Sequence, residues 1–292
     1  MGRLEERNPA VAAVYFLAVA AVVMFSMNSV IALLSLFGSA AYFTLRNKSK
    51  SAKTHAGLLG LLLILTVINP VVNRSGATVL FMINDAPVTL EAVCYGAVSA
   101  VALVSAVYWF ISFSQIMTGE KITYLFGRVS PKLALLISMA LRYTSLFTRQ
   151  MRKTIDAQKG MGVYREDNII DKIRGGLSAF AIVSVWGIEN GIITADSMES
   201  RGYGEGKRSF FSRYRFSAVD GAVTLAVILL FSVTVGVTAS GGFWVEYYPK
   251  IASAPTGAAS VLGYVAYGAL VMLPTVLEVK EAVRWRYLQS KI

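Results

Sequence analysis

Few side chains in this sequence are placed to do chemistry, and the most specific of them is an arginine. Ser200-Arg201-Gly202 closes a long segment of helical periodicity. Arginine offers a planar fork of donors that matches a carboxylate or carbonyl edge. The small Ser200 lets another surface approach, and Gly202 permits a left-handed helix end that turns the chain away. A helix C-terminus also favours a cation. This chemistry suits recognition, although an ordinary basic helix end capped by glycine has the same three residues. A P-loop is excluded, because it needs G-x-x-x-x-G-K-[ST]. Here Arg208 follows Gly206-Lys207, and Arg201 stands in the first glycine position. The single Cys94 lies in an apolar run and the single His55 in a basic loop. They leave no internal disulfide and no cysteine- or histidine-based metal site, and Cys94 reads as a small packing residue.

The elements that position Arg201 belong to a membrane protein. Of 292 residues, 55% are hydrophobic and 15% charged, too apolar for an ordinary soluble domain. Apolar runs cover residues 10–25, 29–45, 56–72, 88–113, 218–238 and 258–279. One helix through the first two runs would be about 54 Å long, against a bilayer core of about 30 Å. A hairpin turning at Ser26-Met27-Asn28-Ser29 is expected instead, with each arm short for a span. No small-residue cleavage site follows MGRLEERNP, so the first run is expected to be a retained helix. Six spans put both termini on one side. On that scheme all of the 28 Lys and Arg residues except Arg74 and Lys250 fall on the same side as the termini. This sorting predicts cytoplasmic N- and C-termini, and it assigns the net charge of +11 to loops rather than to nucleic acid. The outer loops, 73–87 and 239–257, are rich in Gly, Pro, Ser and Asn and read as connectors.

Residues 114–215 carry most of the charge. Ser130-Pro131 predicts a helix start, with serine as cap and proline in the first turn. Leu133, Leu136, Ile137, Ala140, Thr144, Phe147, Met151 and Ile155 then recur at helical spacing, and Gly160 and Gly162 end that helix. A second helix is expected from about Asn168 to Arg201. Its apolar or small stripe is Ile169, Ile173, Leu177, Phe180, Ser184, Ile188, Ile192 and Ala195, with a bend or break at Gly175-Gly176. The expected fold is therefore all-α: a polytopic bundle of about six spans with two long amphipathic cytoplasmic helices. Residues 1–113 form four spans, 114–215 the cytoplasmic region, and 216–292 a hairpin and tail. Glu91, Asp220 and Glu278 lie near span ends and read as interfacial, and Glu189 is a candidate partner of Arg142 or Arg149. No central carboxylate, histidine or lysine marks an ion path. Trp109, Trp186, Trp244 and Trp285 read as anchors or packing residues, and the small-residue patches 38–41 and 96–102 as helix contacts.

The stretch ADSMESRGYGEGKRSFF resembles the second coupling motif of the T component of energy-coupling factor (ECF) transporters. The family pattern there is Ala-Arg-Gly at the end of a coupling helix, and Ser200 replaces the alanine. Residues 123–160, TYLFGRVSPKLALLISMALRYTSLFTRQMRKTIDAQKG, resemble the family's first coupling helix. Its small-Arg-Gly slot falls on Gly160-Met161-Gly162, with methionine in place of arginine. A shift of one or two residues makes Lys159-Gly160 the working pair instead. The resemblance covers nearly the whole chain and is most specific at 123–211. It implies a non-catalytic scaffold in a bacterial cell membrane that couples ATP hydrolysis to uptake of a vitamin or other micronutrient. Its implied partners are two ABC-type ATPases, which hold the ATP and magnesium, and a small membrane-embedded substrate-binding S component. The chain itself is expected to bind no cofactor and no metal. The implied ATPase-docking residues are Ser200, Arg201 and Gly202, with Lys159, Gly160, Met161 and Gly162 on the first arm. The alternatives are the permease of a conventional ABC importer, a secondary transporter or channel, and a membrane anchor without a transport role.

Overall fold

Helix starts in the structure, a computed structural model, follow local capping chemistry. It describes residues 5–47, 51–73, 76–83, 86–162, 164, 168–206, 214, 216–252 and 257–290. Asn8 caps α1 (Pro9–Phe25), its side chain accepting from the Ala10 N–H at 3.0 Å. Asn28 caps α2 (Ser29–Arg46), accepting from Val30 N at 2.9 Å. After α3 (Ser51–Val72) and a two-stranded antiparallel hairpin, β1 (Val79–Ile83) and β2 (Ala86–Thr89), Thr89 caps α4 (Leu90–Ile116). Then come α5 (Gly119–Val129), α6 (Pro131–Gly160) and α7 (Ile169–Ser200). Ser217 and Asp220 form a reciprocal capping box on α8 (Ala218–Ala239), and α9 (Ala258–Gln289) ends the described chain. The fold is an all-α polytopic bundle, and the short β-hairpin is an addition within what read as a plain connector.

Among the described residues, six helices are long and apolar enough to cross a bilayer: α2, α3, α4, α7, α8 and α9. They make the chain a multi-pass membrane protein. These are not the same six runs expected from sequence. α1 has 17 residues, about 26 Å of helix, and falls short of a bilayer core of about 30 Å. In contrast, α7 qualifies by length and composition although its periodicity reads as amphipathic.

The chain divides into two compact units, Met1–Thr118 with Tyr214–Ile292, and Gly119–Arg213. In the first unit three helix pairs turn at one end. The α1/α2 turn is tied to the α8/α9 loop through buried Asn28, whose amide donates to Phe243 O and to Tyr264 Oη at 2.9 Å. Tyr247 Oη donates to Met27 O at 2.9 Å. The loop after α3 joins the same cluster: Asn73 Nδ2 donates to Tyr248 Oη, and Ala77 N donates to Pro249 O. At the opposite end Arg46 pairs with Glu5 at 2.9 Å, so the end of α2 returns to the start of α1. There too Asn47 donates to Gln115, and buried Arg7 pairs with Asp220 at 3.3 Å. α4 therefore ends, and α8 begins, at this second end.

The space between the arms of α1 and α2 is filled from α4. Trp109 is 1% exposed and donates its indole N–H to Ser35 Oγ at 3.0 Å. Its ring meets Tyr15 and Phe16 edge-on and stacks on Tyr42. Gly38 lets Val271 of α9 approach so closely that a Cβ would collide with it, and a Cβ at Gly96 would crowd Asn69 of α3. These two small-residue patches are helix contacts. Asp220 and Glu91 are engaged by the fold: Asp220 by Arg7 and the Ser217 N–H, Glu91 by the Thr78 N–H and hydroxyl. Both side chains are buried in the first turns of their helices. His55 lies on α3, not in a loop, and its ring lies 2.6 Å from Tyr108 Oη and 3.2 Å from Thr44 Oγ1.

Candidate functional site

The second unit places the candidate site residues on α6 and α7. Phe147 sits edge-on against Trp186 and fills the space over Gly187, where a Cβ would collide with its ring. Tyr143 Oη lies 3.1 Å from Thr194 Oγ1, and Gln158 donates to Ser178 at 3.2 Å. Positions that rise along α6 meet positions that fall along α7, so the two helices pack antiparallel. Ala179 and Val183 are buried in this unit. The seam is thus made of small, polar and aromatic residues. The predicted apolar stripe of α7 points elsewhere: Ile169, Ile173, Leu177, Phe180, Ile188 and Ile192 are all exposed. Gly175-Gly176 does not break α7, which is continuous; instead Gly175 faces the ring of Tyr164. Ser130 precedes α6 as expected, but its side chain makes no capping hydrogen bond. Glu189 makes no ion pair with Arg142 or Arg149 among the described residues, and Arg149 Nε instead donates to Ser145 O.

Because the helices run antiparallel, their C-terminal ends lie at opposite ends of the pair. Taking Tyr143 opposite Thr194 and Gln158 opposite Ser178, the two ends are separated by roughly 23 residues of helix, about 35 Å. The two ends share their cap and glycine torsions. Arg201 caps α7 with φ −88° and ψ 6°, and Gly202 follows at φ +73°. Gly202 N donates to Glu199 O at 2.8 Å and Tyr203 N to Met198 O at 3.0 Å, the paired bonds of a Schellman ending. Met161 caps α6 with φ −85° and ψ −1°, and Gly162 follows at φ +71°. Gly162 N donates to Lys159 O at 3.0 Å and Tyr164 N to Gln158 O at 3.2 Å. Backbone geometry therefore aligns Gly160-Met161-Gly162 with Ser200-Arg201-Gly202, residue for residue. The shifted pairing through Lys159-Gly160 does not match it.

Side-chain surroundings sharpen the assignment. Ser200, Arg201 and Gly202 are exposed. Ser200 Oγ donates to Ser197 O at 3.0 Å and stays out of the way. The Arg201 guanidinium makes no ion pair or hydrogen bond among the described residues. Gly160 has open space around it. Met161 is 69% exposed. Lys159 is exposed, with its ammonium 5.5 Å from the centroid of the Tyr164 ring. Tyr164 is a residue that motif reasoning passed over. It holds Lys159, packs on Gly175 and bonds to Lys172 O, which anchors the chain just after the first arm. An aromatic two residues beyond Gly162, with a glycine pair early in the next helix, is the sequence signal for it.

Such a unit defines a class of molecule: a multi-pass membrane protein that carries a helical pair with two exposed, glycine-closed ends. No family model and no curated protein sequence matches the chain.

Proposed function

We propose that this chain is the transmembrane coupling subunit of an ATP-driven importer of the energy-coupling factor type. In this reading it joins two ABC-type ATPases, which bind ATP and magnesium, to a small membrane-embedded subunit that binds a vitamin or other micronutrient. The chain catalyses no reaction. The observation that carries the reading is the antiparallel α6/α7 pair, whose two ends share cap and glycine torsions, lie about 35 Å apart and leave Arg201 unpaired among the described residues. Two such ends suit two soluble subunits side by side. Arg201 inserts into a groove that offers a carboxylate or carbonyl edge, while Ser200 and Gly202 allow close approach. Closure of the ATPase pair on ATP moves the two ends. The rigid seam through Phe147, Trp186 and Gly187 passes that motion to the exposed apolar face of α7, where the substrate-binding subunit packs. That the basic residues Arg7 and Arg46 lie at the end of the first unit opposite the three turns supports cytoplasmic termini in a bacterial cell membrane.

The test is Arg201→Glu. Losing a desolvated charge-assisted contact costs about 2–5 kcal/mol of association. The variant is expected to insert normally and to lose ATPases on purification. Full ATPase retention together with full uptake would remove the assignment.

One observation favours a second reading. α7 is long and apolar enough to cross a bilayer, as a helix of a conventional ABC permease does. Labelling of a cysteine at Ile182, in a Cys94→Ala background, separates the two. Modification by a membrane-impermeant maleimide in inside-out vesicles supports the coupling reading, and protection from both sides supports a span.

A further inference from the structure

The loop between α8 and α9 meets the α1/α2 turn and the first turns of α4 around a cleft of about 520 Å³. Aromatic residues line much of it: Phe25, Tyr95, Trp244, Tyr247 and Tyr248. The rings of Tyr95 and Tyr247 lie 5.5 Å apart at 73°, and those of Tyr95 and Tyr248 lie 5.6 Å apart at 52°. They adjoin at an angle rather than stacking. Each loop tyrosine is tethered by its hydroxyl to a different part of the chain, Tyr247 to Met27 O and Tyr248 to Asn73 Nδ2. The walls are therefore set by contacts outside the loop. Among the described residues Glu246 is the only charged residue lining the cleft. Its Oε1 accepts the Trp244 indole N–H at 3.3 Å, and it makes no ion pair among the described residues.

The geometry points to this cleft as a binding site for a quaternary ammonium cation of the choline type. Aromatic faces attract a cation through their quadrupole, and quaternary ammonium groups suit such walls well. Glu246 supplies the counter-charge, which disfavours an anion and leaves a neutral ligand without its strongest contact. A quaternary nitrogen carries no N–H, so it asks for no hydrogen-bond acceptor. That suits a cleft whose Tyr247 and Tyr248 hydroxyls are already engaged. The volume falls within the range of about 300–1,000 Å³ usual for small-ligand pockets. An aromatic belt at a membrane surface has similar rings, but it needs no carboxylate held beside an indole. All of these residues belong to the first unit, so the site does not depend on the proposed coupling role.

The experiment is equilibrium dialysis of labelled choline against the full-length protein in phosphatidylglycerol nanodiscs. Saturable binding is expected, displaced by tetramethylammonium and not by the neutral alcohol in which carbon replaces the nitrogen of choline. Glu246→Gln is expected to weaken binding about tenfold or more, and so is Tyr95→Leu, whereas Tyr95→Phe keeps the ring and retains it. The comparison of choline with its neutral analogue uses the wild type, so it does not rely on a variant folding. Phosphatidylcholine added to the nanodiscs separates the two sources of the cation: competition supports a lipid headgroup, and unchanged binding supports a water-soluble cation. Absence of saturable choline binding, equal displacement by the neutral alcohol, or unchanged affinity in Glu246→Gln overturns the inference and leaves the proposed function standing.

Discussion

The two units of this chain solve opposite problems. The first closes its polar and aromatic groups on one another: Trp109 on Ser35, Asn28 on Tyr264, Arg7 on Asp220. Trp109, Tyr15, Tyr42 and Tyr267 are among its fully buried side chains. The second unit holds α6 to α7 by one seam and leaves Leu133, Leu136, Leu177, Phe180 and Ile188 exposed. It also leaves the guanidinium of Arg201 unpaired among the described residues. The first unit also exposes large apolar residues, among them Leu63, Phe110 and Val265, around its buried core. In the proposed reading, the second unit offers Arg201 and the apolar face of α7 to partners.

That contrast can be broken from either side. The largest effect is expected in the first unit, where Trp109→Ala removes the wedge between α1 and α2. A cost of about 3–5 kcal/mol is expected, seen as a lower unfolding temperature in detergent. A comparable loss from Leu177→Ala, on the exposed face of α7, would erase the distinction between the units. Next is Gly187→Leu, which drives a side chain into Phe147 and is expected to cost about 1–3 kcal/mol. The spacing of spin labels at Thr148 and Val185 should then widen, while unfolding of the first unit stays unchanged. A smaller effect is expected from Gly202→Ala, which places a Cβ at φ +73° for about 1–2 kcal/mol. It should reduce ATPase retention without affecting insertion, and Gly162→Ala should act in the same way on the other arm.

How far the sequence revealed this arrangement depended on the kind of signal. Glycine and proline punctuation was legible: Pro131 opens α6, and Gly162 and Gly202 close α6 and α7 in left-handed conformations. The break between α1 and α2 at Ser26–Asn28 was legible too, because Asn28 caps the second helix. The seam between α6 and α7 was not. A search for apolar periodicity selects Ile169, Ile173 and Leu177, yet the α6-facing residues are Ser178, Trp186, Gly187, Asn190 and Thr194. Close helix packing uses small and polar residues that such a search passes over. Periodicity also cannot say whether an apolar stripe meets this chain or another molecule. α5 and the β-hairpin were missed because each is short: most of the hairpin lies in residues 73–87, read as a connector, and α5 lies ahead of the helix start expected at Ser130. The pairing of Asp220 with Arg7 was not legible because the two lie far apart in sequence. On the first arm, where the sequence leaves Lys159 and Met161 open, Met161 and Gly162 have the torsions of Arg201 and Gly202.

The central claim is that Arg201 meets an ATPase. A photo-crosslinking amino acid placed at position 201 of the full-length protein, irradiated in native membranes, tests it without relying on loss of function. The account predicts a covalent adduct with a nucleotide-binding polypeptide, weakened when Gly202 is replaced by alanine. Adducts with lipid alone, or none with any soluble protein, would contradict it.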